Sequence, residues 1–218
     1  MVQFSDITGL FITVVAISLV PFVAMVATSF AKIVVVLGLL RNALGVQQVP
    51  PNTVLNGIAI LVTAYVMAPI GMQAMQNMQA MPRTQGSNSS VMVLDAFSAA
   101  KEPFREFLKK HAHEREKRFF MHSAAAIWPK PIAAQLREDD LIVLAPAFTL
   151  TEMADAFKIG FLLYIAFVVV DLVIANVLMA MGLSQVQPTN VAIPFKLLLF
   201  VAMDGWSTLI HGLVLTYR

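Results

Sequence analysis

The chain has 218 residues, of which 58% are hydrophobic and only 13% are charged, whereas soluble domains carry about 25% charged residues. This balance excludes an ordinary soluble domain and indicates that lipid surrounds much of the chain. The net charge of +2 is small, its basic residues are interleaved with acidic ones, and cysteine is absent. The sequence therefore argues against a nucleic-acid-binding face, disulfides and thiolate metal sites.

Four long apolar stretches run along the chain, and each is at least as long as the roughly 20 residues that a helix needs to cross a bilayer. They cover residues 7–31, 53–72, 159–183 and 191–217. We therefore predict an all-α, integral membrane-type protein with four hydrophobic helices arranged as two kinked hairpins. Residues 1–6 contain no Lys or Arg of the kind that opens a signal peptide, so we expect the first helix to be retained.

The first apolar run continues to Leu40, which as one straight helix would span roughly 50 Å at about 1.5 Å per residue. This is too long for one upright crossing, so Pro21 is predicted to kink or divide it. Residues 41–52 contain glycine and paired prolines, which predict a turn into the second helix. Residues 1–72 are therefore predicted to form an N-terminal hydrophobic hairpin.

Methionines recur every third residue beyond the second apolar stretch, with glutamines between them, at Met72, Met75, Met78 and Met81. Because a spacing of three drifts around a helix of 3.6 residues per turn, they form a spiralling stripe. Two interpretations stay open. The stripe is either a helix tail packed on a neighbouring subunit or a flexible methionine surface that adapts to varied partners.

Charge is concentrated in the middle of the chain, where residues 83–140 hold ten of the fifteen Lys and Arg and eight of the thirteen acidic residues. A Gly/Ser-rich linker at 84–90 precedes an amphipathic pattern in which Pro103 suits the first turn of a new helix. We predict a small water-exposed helical domain over residues 73–155. Basic residues beside the short 41–52 turn favour a cytoplasmic turn, which would place this domain in the periplasm.

The remaining segment, residues 156–218, is predicted to form a C-terminal hydrophobic hairpin. Four charges lie in or beside the apolar runs, where each costs on the order of 2.5 to 3.5 kcal/mol at the bilayer centre. They are Lys32, Asp171, Lys196 and Asp204. One hypothesis is that they pair between helices or subunits and fix the register of assembly. A second is that the carboxylates relay protons, and a third is that water-filled surroundings accommodate the charges.

The sequence predicts no enzyme, cofactor or metal site. His111 and His113 are two apart and point to different sides of a helix, which is typical of a solvated face. Ser207 and His211 are four apart and could touch, but a hydrolase would also need an orienting group and an oxyanion loop, and neither is evident. Phosphate-binding glycine loops are absent from the sequence.

The stretch TSFAKIVVVLGLLRNALGVQQVPPN over residues 28–52 resembles the SctR/FliP family (YscR, HrcR, SpaP) of type III export proteins. The resemblance continues in PAFTLTE over 146–152, AFKIGFLLY over 156–164 and IPFKLLLFVAMDGW over 193–206. The residues of the turn that carry it are Arg41, Gly45, Gln47, Gln48, Pro50, Pro51 and Asn52. Within the last two helices, the family's Asp and Lys match Asp171 and Lys196.

The resemblance implies a pore-forming subunit of the export gate that conducts unfolded proteins across the bacterial inner membrane. It implies a homo-oligomer, a pentamer, with SctS/FliQ-type and SctT/FliR-type partners, unfolded secreted proteins as cargo, and an assembled complex lifted toward the periplasm. A flagellar counterpart and a small-solute or ion transporter are the alternatives. A transporter would be expected to show internal repeats with broken helices, and no convincing repeat is present.

The resemblance also implies a methionine gasket on the loop between the last two helices, near residues 179–188. The candidates are Met179, Met181, Leu183, Ser184 and Gln185, and ordinary packing at a helix end is the alternative interpretation. Flagellar members usually carry a methionine triplet where this chain has Leu183, Ser184 and Gln185. That difference favours a virulence-type injectisome over a flagellum.

Overall fold

A computed structural model of the chain describes residues 4–80, 89–183 and 185–218. These residues contain nine helices and no strand, which confirms the predicted all-α class. The helices are α1 Phe4–Val26, α2 Phe30–Leu44, α3 Asn52–Ala80, α4 Ser89–His111, α5 Glu114–Ile127, α6 Lys130–Ala133, α7 Leu141–Ala180, α8 Pro188–Ala202 and α9 Gly205–Leu215. Residues 81–88 lie outside this description, and they include Met81 of the methionine stripe and most of the predicted linker at 84–90.

Two helices, α3 and α7, are long and apolar enough to cross a membrane. Two bent pairs, α1 with α2 and α8 with α9, raise the number to four if each pair forms one span. The four apolar runs of the sequence therefore correspond to two continuous helices and two broken ones. Little of the most apolar stretch of α3 or α7 is buried within the single chain, which indicates that lipid or other subunits cover these stretches.

Pro21 does not divide the first apolar run, and a kink at Pro21 stays a prediction. Pro21 lies inside α1, and the helix ends five residues later at Val26. The Thr28 hydroxyl donates a hydrogen bond to the Ala24 carbonyl and accepts one from the Phe30 N–H at 3.3 Å. Because Ser and Thr side chains offer the backbone an alternative to helical hydrogen bonds, the break falls at residues 27–29.

The prediction for Pro103 is also wrong, because Pro103 lies inside α4 rather than in a first turn. A proline has no N–H, so the carbonyl of Ala99, four residues earlier, loses its helical donor. The Asn77 side chain of α3 supplies the replacement, with its Nδ2 donating to the Ala99 oxygen at 3.1 Å. A tertiary hydrogen bond thus makes an interior proline tolerable.

The described chain divides into two compact units, of which the first comprises Met1–Ala31 and Ala64–Glu152. Its core contains Phe148, which packs against Phe107 with the ring centroids 5.4 Å apart. The buried Thr151 hydroxyl accepts a hydrogen bond from the His113 N–H at 3.0 Å and donates one to the Ala147 carbonyl at 2.8 Å. The hydroxyl thereby ties the start of α5 to α7.

The polar helices of this unit carry local ion pairs. Lys117 of α5 donates a hydrogen bond to Glu114 one turn earlier, and this bond holds the pKa of the exposed Glu114 carboxyl below its ordinary value. Of the two predicted solvent-facing histidines, His113 is the extended N-cap of α5, while the ring of His111 packs on Phe107 with the centroids 4.8 Å apart. His111 is therefore part of a packed helix face.

The second unit comprises Lys32–Thr63 and Met153–Arg218. Its main hydrophobic cluster joins α2, α7 and α8 through Leu40, Ala43, Leu44, Phe167 and Phe200. The segment boundaries predicted after residues 72 and 155 fall inside α3 and α7, and both helices run through them without a break. Helices α2, α3 and α7 each contribute residues to both units.

Candidate functional site

The second unit contains an ion pair between α7 and α8. Lys196 Nζ lies 2.6 Å from Asp171 Oδ2, so two of the four charges singled out in the sequence are in direct contact. The Lys196 side chain is only 6% exposed, whereas the Asp171 side chain is 43% exposed. The ammonium is therefore buried, and the carboxylate is partly exposed at the surface of the chain.

The same ammonium also holds the end of α2. Lys196 Nζ donates to the Ala43 carbonyl at 3.1 Å. Ala43 lies in the last turn of α2, where carbonyls have no helical donor and the helix dipole presents its negative end. One buried cation thus joins α2, α7 and α8, and the role of this pair in assembly stays a prediction.

The 41–52 turn, which carries the family resemblance, is closed by a single side chain. Arg41 Nη1 donates to Asn52 Oδ1 at 2.6 Å and to the Pro50 carbonyl at 3.3 Å. Gly45 ends α2 with a φ of +80°, a conformation that favours glycine, and the Val49–Pro50 peptide is cis. Gln47, Gln48 and Pro51 are exposed along the outside of this turn.

This turn packs against α8. A Cβ added to Gly45 would lie 3.1 Å from Ile193 Cγ1, so the glycine permits both the turn and the close approach of Ile193. Ile193 is three residues from Lys196 on the same helix. The turn and the ion pair therefore belong to one packed region of the second unit.

The other two predicted charges have different surroundings. Lys32 is buried, and its Nζ lies 3.9 Å from the centre of the Tyr217 ring, a favourable cation–π distance. Asp204 lies in the break between α8 and α9 and is exposed. Within the described residues, Asp204 has no ion-pair partner, so the structure does not bring it to either lysine.

The predicted gasket residues lie where α7 ends. The Leu183 N–H donates to the Leu178 carbonyl and the Gly182 N–H to the Met179 carbonyl, both at 3.0 Å, and Gly182 has a φ of +74°. These two bonds form the Schellman motif that commonly terminates a helix at glycine. Met179, Met181, Leu183 and Gln185 are exposed, while Ser184 lies outside the described residues.

Sequence reasoning missed an apolar cavity of about 460 Å³ within the second unit. Three small residues of α9, Gly205, Thr208 and Gly212, line it at helical spacing, together with larger side chains of α7 and α8. That spacing is a signal the sequence contains, since small residues on one face let helices approach closely.

Ser207 and His211, the pair that a hydrolase would need, are not joined by a hydrogen bond in the described part of the chain.

Comparison with known proteins gives consistent matches along almost the whole chain. The sequence model of the FliP family matches residues 12–213. The hypersensitivity response secretion protein HrcR of Ralstonia nicotianae is 67% identical over 213 residues, 98% of each chain. The Yop proteins translocation protein R of Yersinia pestis is 46% identical over 100% of this chain and 99% of its own. The virulence protein YscR of Salmonella typhimurium is 36% identical over 92% of each.

Proposed function

The chain belongs to the FliP family, and we therefore propose that it is a pore-forming subunit of a type III protein export gate in the bacterial inner membrane. It conducts unfolded protein substrates and catalyses no reaction. The observation that carries this proposal is the 67% identity to a secretion protein over 98% of both chains, because the similarity is not confined to one segment.

The exposed apolar surface supports a subunit that functions inside an assembly. In an apolar stretch of 18 residues within each helix, only 11% of α3 and 17% of α7 is buried in the single chain. Such surfaces need lipid or other helices around them. We propose a homo-oligomer, a pentamer, that also binds SctS/FliQ-type and SctT/FliR-type subunits, with the complex lifted toward the periplasm. The water-exposed segment 73–155 then projects on the periplasmic side.

The virulence type of apparatus is favoured over the flagellar one. Relatives carry names that refer to hypersensitivity response secretion, Yop translocation and virulence. The loop after α7 has Leu183, Ser184 and Gln185 where flagellar members carry methionines. Secretion into or toward a host, and not motility, is therefore the proposed setting.

The gasket proposal rests on the exposed residues that follow the end of α7. Met179 and Met181 flank the helix end with flexible, polarisable side chains that can adapt to varied apolar surfaces. The Schellman turn at Gly182 fixes where the helix stops and the loop begins. We expect Met179 and Met181, with Leu183, Ser184 and Gln185, to close around a passing polypeptide.

Complementation tests the function directly. The gene is expressed in a bacterium that carries a virulence-type apparatus and lacks its own counterpart, and the secreted proteins in the culture supernatant are quantified. Restored secretion supports the proposal. Unchanged absence of secretion, from a chain that is stably inserted in the membrane and co-purifies with the neighbouring subunits, would contradict it.

Two parallel measurements separate the alternatives. Restored swimming in a flagellar strain that lacks its counterpart would favour the flagellar system. Uptake of a small solute or ion by proteoliposomes containing the purified chain alone would favour the transporter.

Native mass spectrometry of the detergent-extracted chain, alone and with its partner subunits, tests the oligomeric state. A chain that stays monomeric with its partners present would contradict the proposal of an export gate.

A further inference from the structure

The break between α8 and α9 places a charged residue in an unfavourable backbone conformation. The two helices are bent by 63° relative to each other, and Asp204 joins them with a φ of 49° and a ψ of 47°. Among the described residues, Asp204 is the one non-glycine residue with a positive φ. This left-handed conformation is costly for residues with a Cβ and is tolerated best by glycine, asparagine and aspartate.

Packing on both sides of the break fixes this conformation. A Cβ added to Gly205 would lie 2.2 Å from Phe200 Cε2, so the first residue of α9 rests directly on the Phe200 ring. The Trp206 ring meets the same phenylalanine edge to face, with the centroids 5.5 Å apart. Residues held in strained backbone regions persist when their surroundings determine the geometry in this way.

The Asp204 carboxylate has neither a capping hydrogen bond nor an ion-pair partner among the described residues. Asp204 is the N-cap of α9, a position where an aspartate ordinarily accepts a hydrogen bond from the first turn, but its side chain makes no capping bond. It is exposed, and within the described residues it forms no ion pair. Its neighbours Val201 and Met203 are exposed and apolar, so the carboxylate lies in an apolar part of the surface.

The other charges of the apolar runs are accommodated inside the chain. Asp171 is bound to Lys196, and Lys32 lies over the Tyr217 ring. An isolated carboxylate in apolar surroundings is unfavourable unless a cation or water meets it. A glycine at position 204 would fit the backbone better and carry no such cost, so the backbone alone does not account for the aspartate.

We propose that Asp204 is an intersubunit contact that accepts the cationic side chain, lysine or arginine, of an adjacent subunit. The inference rests on the proposed function, because it needs an assembled gate. The α8–α9 break presents the carboxylate at the surface, and the rigid packing of Gly205 on Phe200 holds it in one place. Charge complementarity then selects the partner and the register in which its helix docks.

Three substitutions at position 204 distinguish the effect of the carboxylate charge from the effect of the backbone conformation. Asparagine tolerates the left-handed conformation, so Asp204→Asn removes the charge alone, and Asp204→Gly removes the charge and relieves the strain. Asp204→Glu keeps the charge and lengthens the side chain by one methylene group. Asp139→Asn is a matched control, because Asp139 forms only a surface ion pair with Arg137.

Each full-length variant is co-expressed with the partner subunits, and the complex is quantified by native mass spectrometry while the thermal stability of the chain is measured alone. We expect Asp204→Asn and Asp204→Gly to lower the yield of complex by about tenfold or more, since close interfacial charge pairs contribute substantially to affinity. The stability of the chain alone should be unchanged for Asp204→Asn and raised for Asp204→Gly. Asp139→Asn should assemble like the unmodified chain.

Carbodiimide treatment of the unmodified complex, followed by peptide mass spectrometry, identifies a lysine in direct contact with Asp204. An arginine is identified by charge exchange, in which Asp204→Lys is rescued by an acidic substitution on the partner. Normal assembly of Asp204→Asn and Asp204→Gly would overturn the inference, and normal assembly with reduced secretion would place the carboxylate toward the conduit instead. If the unmodified chain inserts into the membrane normally but does not assemble, the result contradicts the proposed function itself and not merely the contact at Asp204.

Discussion

Removal of the negative charge of Asp171 should destabilise the second unit, because the buried Lys196 ammonium, which also donates to the Ala43 carbonyl, then loses its counter-charge. The change is Asp171→Asn, which keeps the size of the side chain and removes its charge. Lys196→Met is the complementary change, because it removes the buried cation and retains a long apolar side chain. The two are combined in a double-mutant cycle.

The expected magnitude follows from the unequal exposure of the pair. Breaking a fully buried ion pair costs about 3 to 5 kcal/mol, and breaking an exposed one costs about 0 to 1 kcal/mol. The Lys196 side chain is 6% exposed and the Asp171 side chain 43%, so the pair lies between these limits. We expect Asp171→Asn to cost about 2 kcal/mol and the cycle to give a coupling of about 1 to 2 kcal/mol.

Unfolding by SDS titration from mild detergent micelles measures these changes, with tryptophan fluorescence as the signal. The chain has two tryptophans, so all variants also carry Trp128→Phe. The remaining Trp206 packs on the hydrophobic cluster of the second unit and reports on it. Lys158→Met is the control, because Lys158 forms an exposed pair one turn from its partner, and it should cost under about 0.5 kcal/mol. Additive single effects would refute the pairing argument. Lost secretion by Asp171→Asn with unchanged stability would favour the proton relay.

Three further predictions concern single residues. Asn77→Ala should lower the free energy of unfolding by about 1 kcal/mol, because the Ala99 carbonyl inside α4 then has no donor, and thermal unfolding measures the loss. Gly205→Ala should cost about 1 to 3 kcal/mol in the same assay, because its Cβ would overlap the Phe200 ring. Acidification should weaken α5, because the stabilisation by ionised Glu114 is fully present above the unfolded pKa of this carboxyl and is lost as the pH falls through its lowered folded pKa. Hydrogen exchange should show a smaller effect of acidification in Glu114→Gln.

Matched changes test these reasons. Pro103→Ala restores a backbone donor for the Ala99 carbonyl, so it should reduce the cost of Asn77→Ala, and equal costs in both backgrounds would contradict the proposed hydrogen bond. Gly57→Ala lies in α3 with open space around the added carbon, so it should be tolerated or slightly stabilising. A similar loss at Gly57 and Gly205 would contradict the steric argument.

Helix content and helix type could be read from local sequence because each depends on the chain's own composition. Runs of about 20 apolar residues predict membrane-type helices wherever they occur. The positions of breaks inside those runs were harder to predict. Pro21 and Pro103 are inside helices, while the first apolar run breaks at Thr28, where a hydroxyl competes for backbone hydrogen bonds.

The sequence by itself determined the helical class, the four apolar runs and the four charges that are costly within them, because these follow from residue type and order. Only the tertiary structure decided which charges meet. Lys196 and Asp171 are 25 residues apart, and Lys196 is 153 residues from Ala43, so no local pattern relates them. The difference between Asp171 and Asp204 is likewise tertiary: both are carboxylates in apolar runs, but folding brings a buried ammonium to the first and leaves the second at an exposed helix break.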